Sequence, residues 1–254
     1  MTQLTTLLFD VDGTLADTER DGHRVAFNKA FAEAGLDWDW TVDLYADLLS
    51  VTGGKERIRY FVGKYQTDFA PAGGLGEFAA RIHQRKTHFY LAMLQAGEIP
   101  LRQGVARLLR EAQAAGLRLG IATTTTPENV TYLLQSTLGE AALGWFDCIA
   151  AGDIVPEKKP APDIYQYAMQ QMGVQPDECL AFEDSDNGIR SAVAAGLATL
   201  VTVNAYTLNH DFSKAVLVLD QLGEPDAPCS VLQGDVGGHA YVDVALLHRL
   251  HSRA

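Results

Sequence analysis

The opening stretch constrains this chain more than any other. An apolar run from Leu4 to Phe9 ends abruptly in Asp10-Val11-Asp12-Gly13-Thr14. A short apolar run closed by a polar turn reads as a buried strand. In open α/β sheets, ligands gather beyond the carboxyl ends of such strands. Side chains alternate along a strand, so Asp10 and Asp12 lean to the same side. Two carboxylates held that close repel each other unless a cation lies between them or one keeps a proton. A strand closed by a solvated Asp-Gly turn is the other reading of the same letters.

After this strand the pattern changes. From about Ala16 to Ala96 the apolar spacing is helical and no strand stands out. Val25, Ala26, Ala30 and Phe31 share one face, with Gly35 as a C-cap. Leu44, Leu48 and Leu49 mark a second helix, Thr52-Gly53-Gly54 breaks it, and Ile58, Phe61 and Val62 resume. A longer helix, about 75–95, carries Phe78, Ile82, Phe89 and Met93 on one stripe. Residues 16–96 are therefore expected to form a separate four-helix cap domain.

From Pro100 onward helix and strand alternate. Strands are expected at 117–122, 146–150, 179–182, 199–203 and 216–219, with helices at 105–115, 128–135, 162–172, 188–195 and 242–250. Such alternation predicts a doubly wound parallel sheet, a Rossmann-like α/β core made of residues 1–15 and 97–254. The part after Asp220, apart from the final helix, carries no assignable pattern.

Composition narrows the partners. A net charge of −12 without any Lys/Arg-rich run argues against non-specific nucleic-acid binding. Scattered Cys148, Cys179 and Cys229 form no Cys-x-x-Cys pair and fit reduced, structural thiols. No 18-residue apolar run and no basic start with an apolar core occur, so neither a membrane nor a secretory signal is expected. The expectation is a cytoplasmic monomer.

Four pieces of sequence share one grammar: an apolar strand, or the loop beyond one, followed by polar residues suited to phosphate chemistry. They are Asp10 with Asp12, Thr123 with Thr124, the loop bearing Lys158 and Lys159, and Glu183-Asp184. In a parallel sheet all four lie along one edge and can converge. Singly, Thr123 fits a helix N-cap, Lys159 a solvated loop lysine and Glu183-Asp184 a polar turn. Together, Asp10, Asp12, Glu183 and Asp184 bring several negative charges against one from Lys159. Oxygen donors without a thiolate or histidine cluster suit a hard cation, Mg²⁺. These parts fit phosphoryl transfer through an aspartyl phosphate. Asp10 would be the nucleophile, Asp12 the general acid and base, and Thr123 a donor to a phosphoryl oxygen.

Asp10-Val11-Asp12-Gly13-Thr14, Thr123, Lys159-Pro160 and Glu183-Asp184 resemble, in order and spacing, the four motifs of the haloacid dehalogenase superfamily. The resemblance implies a Rossmann-like core with a helical cap of the C1 type inserted after the first strand. It also implies Mg²⁺ held by Asp10, the Asp12 carbonyl and Asp184, with Glu183 a further candidate ligand. Members that cleave carbon–halogen bonds typically lack the second Asp, so Asp12 favours phosphoryl chemistry.

In this superfamily the cap selects the substrate. Gly53, Gly54, Lys55 and Arg57 sit at a helix break, where glycine backbone and a helix N-terminus favour an anion. Lys55 and Arg57 are expected to hold a second, non-reacting phosphate. Glu19, His23 and Tyr45 are candidates to meet sugar hydroxyls, and each also has a structural reading. Thr52-Gly53-Gly54-Lys55-Glu56-Arg57, with the Asp-Thr-Glu…His-Arg segment before it, resembles the CbbY-type phosphatases of carbon-fixing organisms. That likeness implies removal of the 1-phosphate from xylulose-1,5-bisphosphate, an inhibitor of Rubisco. β-Phosphoglucomutases share the four core motifs and keep a sugar phosphomutase open. A phosphonatase using Lys55 and a catalytically silent phosphosugar-binding protein are the remaining alternatives.

Overall fold

A computed structural model describes residues 2–51 and 53–253. Contacts divide the chain into two compact units, residues 1–17 with 100–254, and residues 18–99.

The first unit is built on a seven-stranded sheet in the order β3-β2-β1-β4-β5-β6-β7. The strands are β1 (Thr6–Phe9), β2 (Arg118–Ala122), β3 (Phe146–Ala150), β4 (Cys179–Glu183), β5 (Ala198–Thr202), β6 (Leu217–Leu219) and β7 (Val231–Gln233). All neighbours run parallel except β6 and β7. Strand β1 is buried along its whole length, as a central strand covered on both faces must be. In register, Phe9 sits beside Ile121 on one side and Phe182 on the other. The Phe9 and Phe182 rings stack at 4.3 Å, so the next residues, Asp10 and Glu183, stand side by side at the ends of the two strands.

Helices of this unit lie between successive strands up to β5, and one more follows β7. Val105–Ala114, Pro127–Leu138, Asp163–Met172, Asp186–Ala194 and Val244–His251 are numbered α5 to α9, following four in the other unit. Pro127 occupies the first turn of α6, where a missing N–H is harmless. Helix α8 starts at Asp186, two residues before the sequence expectation, because the Ser185 hydroxyl caps it by accepting from the Gly188 N–H at 3.2 Å.

The helical unit contains α1 (Arg24–Glu33), α2 (Val42–Leu48), α3 (Gly54–Tyr65) and α4 (Gly74–Gln95), preceded by one π-helical stretch, Thr18–His23. Its core is aromatic. Trp40 is fully buried, packing on Phe27, Phe31 and Phe61 at ring separations of 4.5, 4.9 and 5.4 Å. Asn28 fixes it by accepting from the Trp40 N–H at 2.9 Å. Because Trp38 and Trp40 lie in the α1–α2 connection, helical periodicity could not reveal them.

The region after Asp220, unassigned from sequence, supplies β7, which pairs antiparallel with β6 at the sheet edge. It has only three residues, all exposed. Such a strand has no alternation to read.

Candidate active site

Strand ends of the first unit bring the expected core residues together. Strand β1 delivers Asp10, whose N–H donates to the Phe182 carbonyl at 3.0 Å. Lys159 donates from Nζ to Asp10 Oδ1 at 2.7 Å and to Glu183 Oε1 at 2.6 Å. The ammonium also faces the Tyr165 ring at 5.0 Å, and the Tyr165 hydroxyl donates to Glu183 Oε1 at 2.6 Å. Lys158 turns outward and pairs with Asp153. The two adjacent lysines thus divide into a buried one, with 7% of its side chain exposed, and a solvated one.

Opposite them, Asn204 donates from Nδ2 to Asp184 Oδ2 at 2.7 Å. Gly13 has φ +86°, and a Cβ there would overlap the Asp184 carboxylate. The glycine after Asp12 is therefore needed both for its left-handed backbone and for the space it leaves. Thr123 is buried; its N–H donates to the Ala150 carbonyl at 2.9 Å and its hydroxyl accepts from the Thr125 N–H at 3.4 Å. Its own proton stays available to a substrate oxygen. Asp10, Asp12, Thr124, Lys159, Glu183 and Asp184 all line a pocket of about 260 Å³.

The electrostatics disfavour charge on all three carboxylates at once. Burial pushes the Glu183 carboxyl up to about 7; Asp10 adds to the rise and Lys159 opposes it. Burial also holds Asp184 well above the usual carboxylate range, reinforced by Asp10 and Glu183 and opposed by Arg102 and Lys159. Burial disfavours charge on Lys159, but Asp10 and Glu183 outweigh it and keep the ammonium protonated beyond the ordinary lysine range. One lysine does not neutralise three buried carboxylates. Oxygens from Asp10, Glu183 and Asp184 all lie within 4.8 Å of one another. Hard oxygen donors at that spacing fit a divalent metal ion.

In the helical unit, the structure groups three expected residues. Tyr45 donates from its hydroxyl to Glu19 Oε2 at 2.7 Å and accepts from Arg57 Nη1 at 2.7 Å. Arg57 also donates from Nε to the Leu48 carbonyl at 3.2 Å and stands 3.8 Å from Glu19. Lys55 is exposed, but Arg57 is buried, so part of its donor fork is spent inside the unit. His23 Nδ1 lies 2.7 Å from Lys86 Nζ, and its ring stacks on Tyr90 at 3.9 Å. Gly53 takes φ +94° at the start of α3, and a Cβ on Gly54 would overlap His83. Thr52 lies outside the described residues.

Sequence reading missed Tyr165, Lys86 and Arg102. Tyr165 and Lys86 sit on buried helix faces, where a polar residue at an apolar position of the periodic pattern was the available signal. Arg102 lies between elements, and no local pattern marks it.

A Rossmann-like sheet whose strand ends gather carboxylates around one buried lysine defines a class of phosphate-ester enzymes. A family model of haloacid dehalogenase-like hydrolases matches residues 4–196, and the chain belongs to that family. It is 45% identical to protein CbbY (plasmid) of Cupriavidus necator over 247 residues, covering 96% of each chain. It shares 46% identity and a TM-score of 0.70 with a D10N mutant of CbbY from Rhodobacter sphaeroides solved with xylulose-1,5-bisphosphate, covering 86% of this chain and 94% of that one. Fructose-1-phosphate phosphatase YqaB of Escherichia coli is 31% identical over 194 residues, 75% of this chain and 92% of that one. The chain is accordingly a CbbY-type phosphomonoesterase of this family.

Proposed function

We propose that the protein is a Mg²⁺-dependent sugar-bisphosphate phosphatase that removes the 1-phosphate of xylulose-1,5-bisphosphate. The carrying observation is the Lys159 bridge between Asp10 and Glu183, at 2.7 and 2.6 Å beside Asp184. It steadies the nucleophile inside a pocket whose carboxylates call for a divalent ion. The substrate assignment is supported by the likeness to CbbY of R. sphaeroides, solved with that bisphosphate.

In this reading Asp10 attacks phosphorus. A bond forms from its carboxylate oxygen and the bond to the sugar oxygen breaks, while Asp12 gives the leaving oxygen a proton. Asp12 then takes a proton from water, whose oxygen bonds to phosphorus as the aspartyl–phosphorus bond breaks, releasing inorganic phosphate and restoring Asp10. Lys159 and the Thr123 hydroxyl stabilise charge on the phosphoryl oxygens, with Thr124 alongside. Asp10, the Asp12 carbonyl, Asp184 and Glu183 would hold Mg²⁺, which offsets negative charge at the phosphoryl group. We assign residues 18–99 the role of a substrate-selecting cap. There Glu19, His23 and Tyr45 would meet sugar hydroxyls, and Gly53, Gly54, Lys55 and Arg57 the non-reacting phosphate. The unpaired Cys148, Cys179 and Cys229 accord with a reducing, cytoplasmic setting. Among the described residues, no helix is long and apolar enough to cross a membrane.

The test is phosphate release across a panel of sugar mono- and bisphosphates with and without Mg²⁺. Pentulose bisphosphates should lead the panel, and chelation should abolish release. Asp10→Asn should remain folded, bind substrate and lose essentially all turnover. Isomerisation of a hexose phosphate without phosphate release would establish the mutase instead. Borohydride trapping of a phosphonoaldehyde on Lys55 would establish the phosphonatase.

A further inference from the structure

Arg102 follows the return of the chain from the helical unit, and its backbone N–H donates to the Leu15 carbonyl at 2.8 Å. Its side chain is 9% exposed and turns into the first unit. Nη1 donates to the Gly13 carbonyl and, at 3.0 Å each, to the carbonyl and hydroxyl of Thr202. Nη2 donates to the Val203 carbonyl and, at 2.9 Å, to that of Asp220, while Nε stands 3.3 Å from Asp17 Oδ1. A guanidinium has five N–H groups in a rigid fork, and here the fork is spread over separate backbone segments. Burying a charge this way is costly unless its donors are met. Simple packing would not require it.

Two of these segments meet at Asp184. Gly13 closes over the Asp184 carboxylate so tightly that a Cβ would overlap it. Val203 immediately precedes Asn204, whose Nδ2 holds Asp184 Oδ2 at 2.7 Å. One guanidinium therefore ties down both backbone segments that confine this carboxylate. We propose that Arg102 is a positioning residue that sets the divalent-metal affinity of the acidic site by fixing the Gly13 turn and the Val203–Asn204 corner around Asp184. This rests on the metal-dependent reading above. Outer partners that orient metal ligands typically contribute about 10–100-fold in affinity. Lysine keeps the charge but cannot serve both Nη branches, so even this conservative exchange should fail.

The experiment titrates Mn²⁺ into the metal-stripped protein and reads free Mn²⁺ by electron paramagnetic resonance. It compares wild type with Arg102→Lys, Asn204→Ala and Arg118→Ala, with thermal melts to verify folding. Arg118 pairs with Asp147 and the Met172 carbonyl, away from the strand ends that carry the site, and serves as the control. Mn²⁺ Kd should rise about tenfold or more in Arg102→Lys and Asn204→Ala and stay unchanged in Arg118→Ala. Phosphatase turnover of Arg102→Lys should recover toward wild type as Mn²⁺ is raised, which general destabilisation would not produce. Asn204→Ala leaves Arg102 intact, so the link to Asp184 is testable even if residue 102 tolerates no change. Wild-type Mn²⁺ affinity in folded Arg102→Lys, whatever Asn204→Ala shows, would overturn this inference alone. A wild type that binds no divalent ion would overturn the metal reading and this inference with it.

Discussion

Gly188→Ala separates site geometry from helix propensity because the two predict opposite signs. Gly188 lies within α8 with an ordinary helical backbone. Propensity alone makes alanine more stable there by up to about 1 kcal/mol. A Cβ at this position, however, would overlap the Glu183 carboxylate and approach Oε1 to 2.6 Å, inside the 3.0 Å limit of real Cβ contacts. Glu183 cannot swing away cheaply, since its carboxylate is 1% exposed and holds both Lys159 and Tyr165 at 2.6 Å. Breaking a buried ion pair costs about 3–5 kcal/mol. Setting the propensity gain against it leaves a net loss of about 2–4 kcal/mol. At roughly 2–4 °C per kcal/mol, the melting temperature should fall by about 4–16 °C. Calorimetry reads this directly, and phosphatase turnover should fall with it as Lys159 loses one of its carboxylates. A variant that melts at or above the wild-type temperature with undiminished activity would refute the packing argument.

The helical unit yields two further predictions. Arg57→Ala should lower kcat/KM for a sugar bisphosphate on the order of 100-fold, but barely change p-nitrophenyl phosphate hydrolysis; equal losses on both would remove Arg57 from recognition of the second phosphate. Burial, then the charges of Lys86, Arg57 and His83, hold His23 well below its usual 6.5. A depressed histidine contributes stability above the unfolded value that is lost as pH falls toward the folded one. Melting temperature should therefore drop as pH goes below about 6.5 in wild type and drop less in His23→Gln. Identical pH slopes for the two chains would contradict it.

Much of the site is legible in the sequence because each part is local to one strand end. Asp10 follows directly from the apolar run of β1, and Glu183 and Asp184 follow from β4. Once the strands run parallel, their carboxyl ends must share an edge. The likeness of Lys159-Pro160 to the family motif singles out Lys159, but its burial is not local. Lys158 and Lys159 lie in the same loop, and only the position of Tyr165 and Glu183 beside one of them decides which is buried. The burial of Arg57 is not local either. Its position marks a cation near a helix start, and only the fold shows that the Tyr45 hydroxyl and the Leu48 carbonyl take up part of its fork.

By itself the sequence determined the α/β alternation, the helical stretch after the first strand and the carboxylates, threonine and lysines available for chemistry. Hydrophobic periodicity and turn residues act over a few neighbours, so they survive in the linear text. Tertiary structure alone decided which polar groups meet across the sheet. Arg102 is the clearest case. Its carbonyl partners run from Gly13, 89 positions away, to Asp220, 118 positions away. A guanidinium shared among distant backbone carbonyls leaves no periodic trace, because carbonyls are the same in every residue. Only the fold, by bringing those carbonyls around one guanidinium, gives that arginine its place.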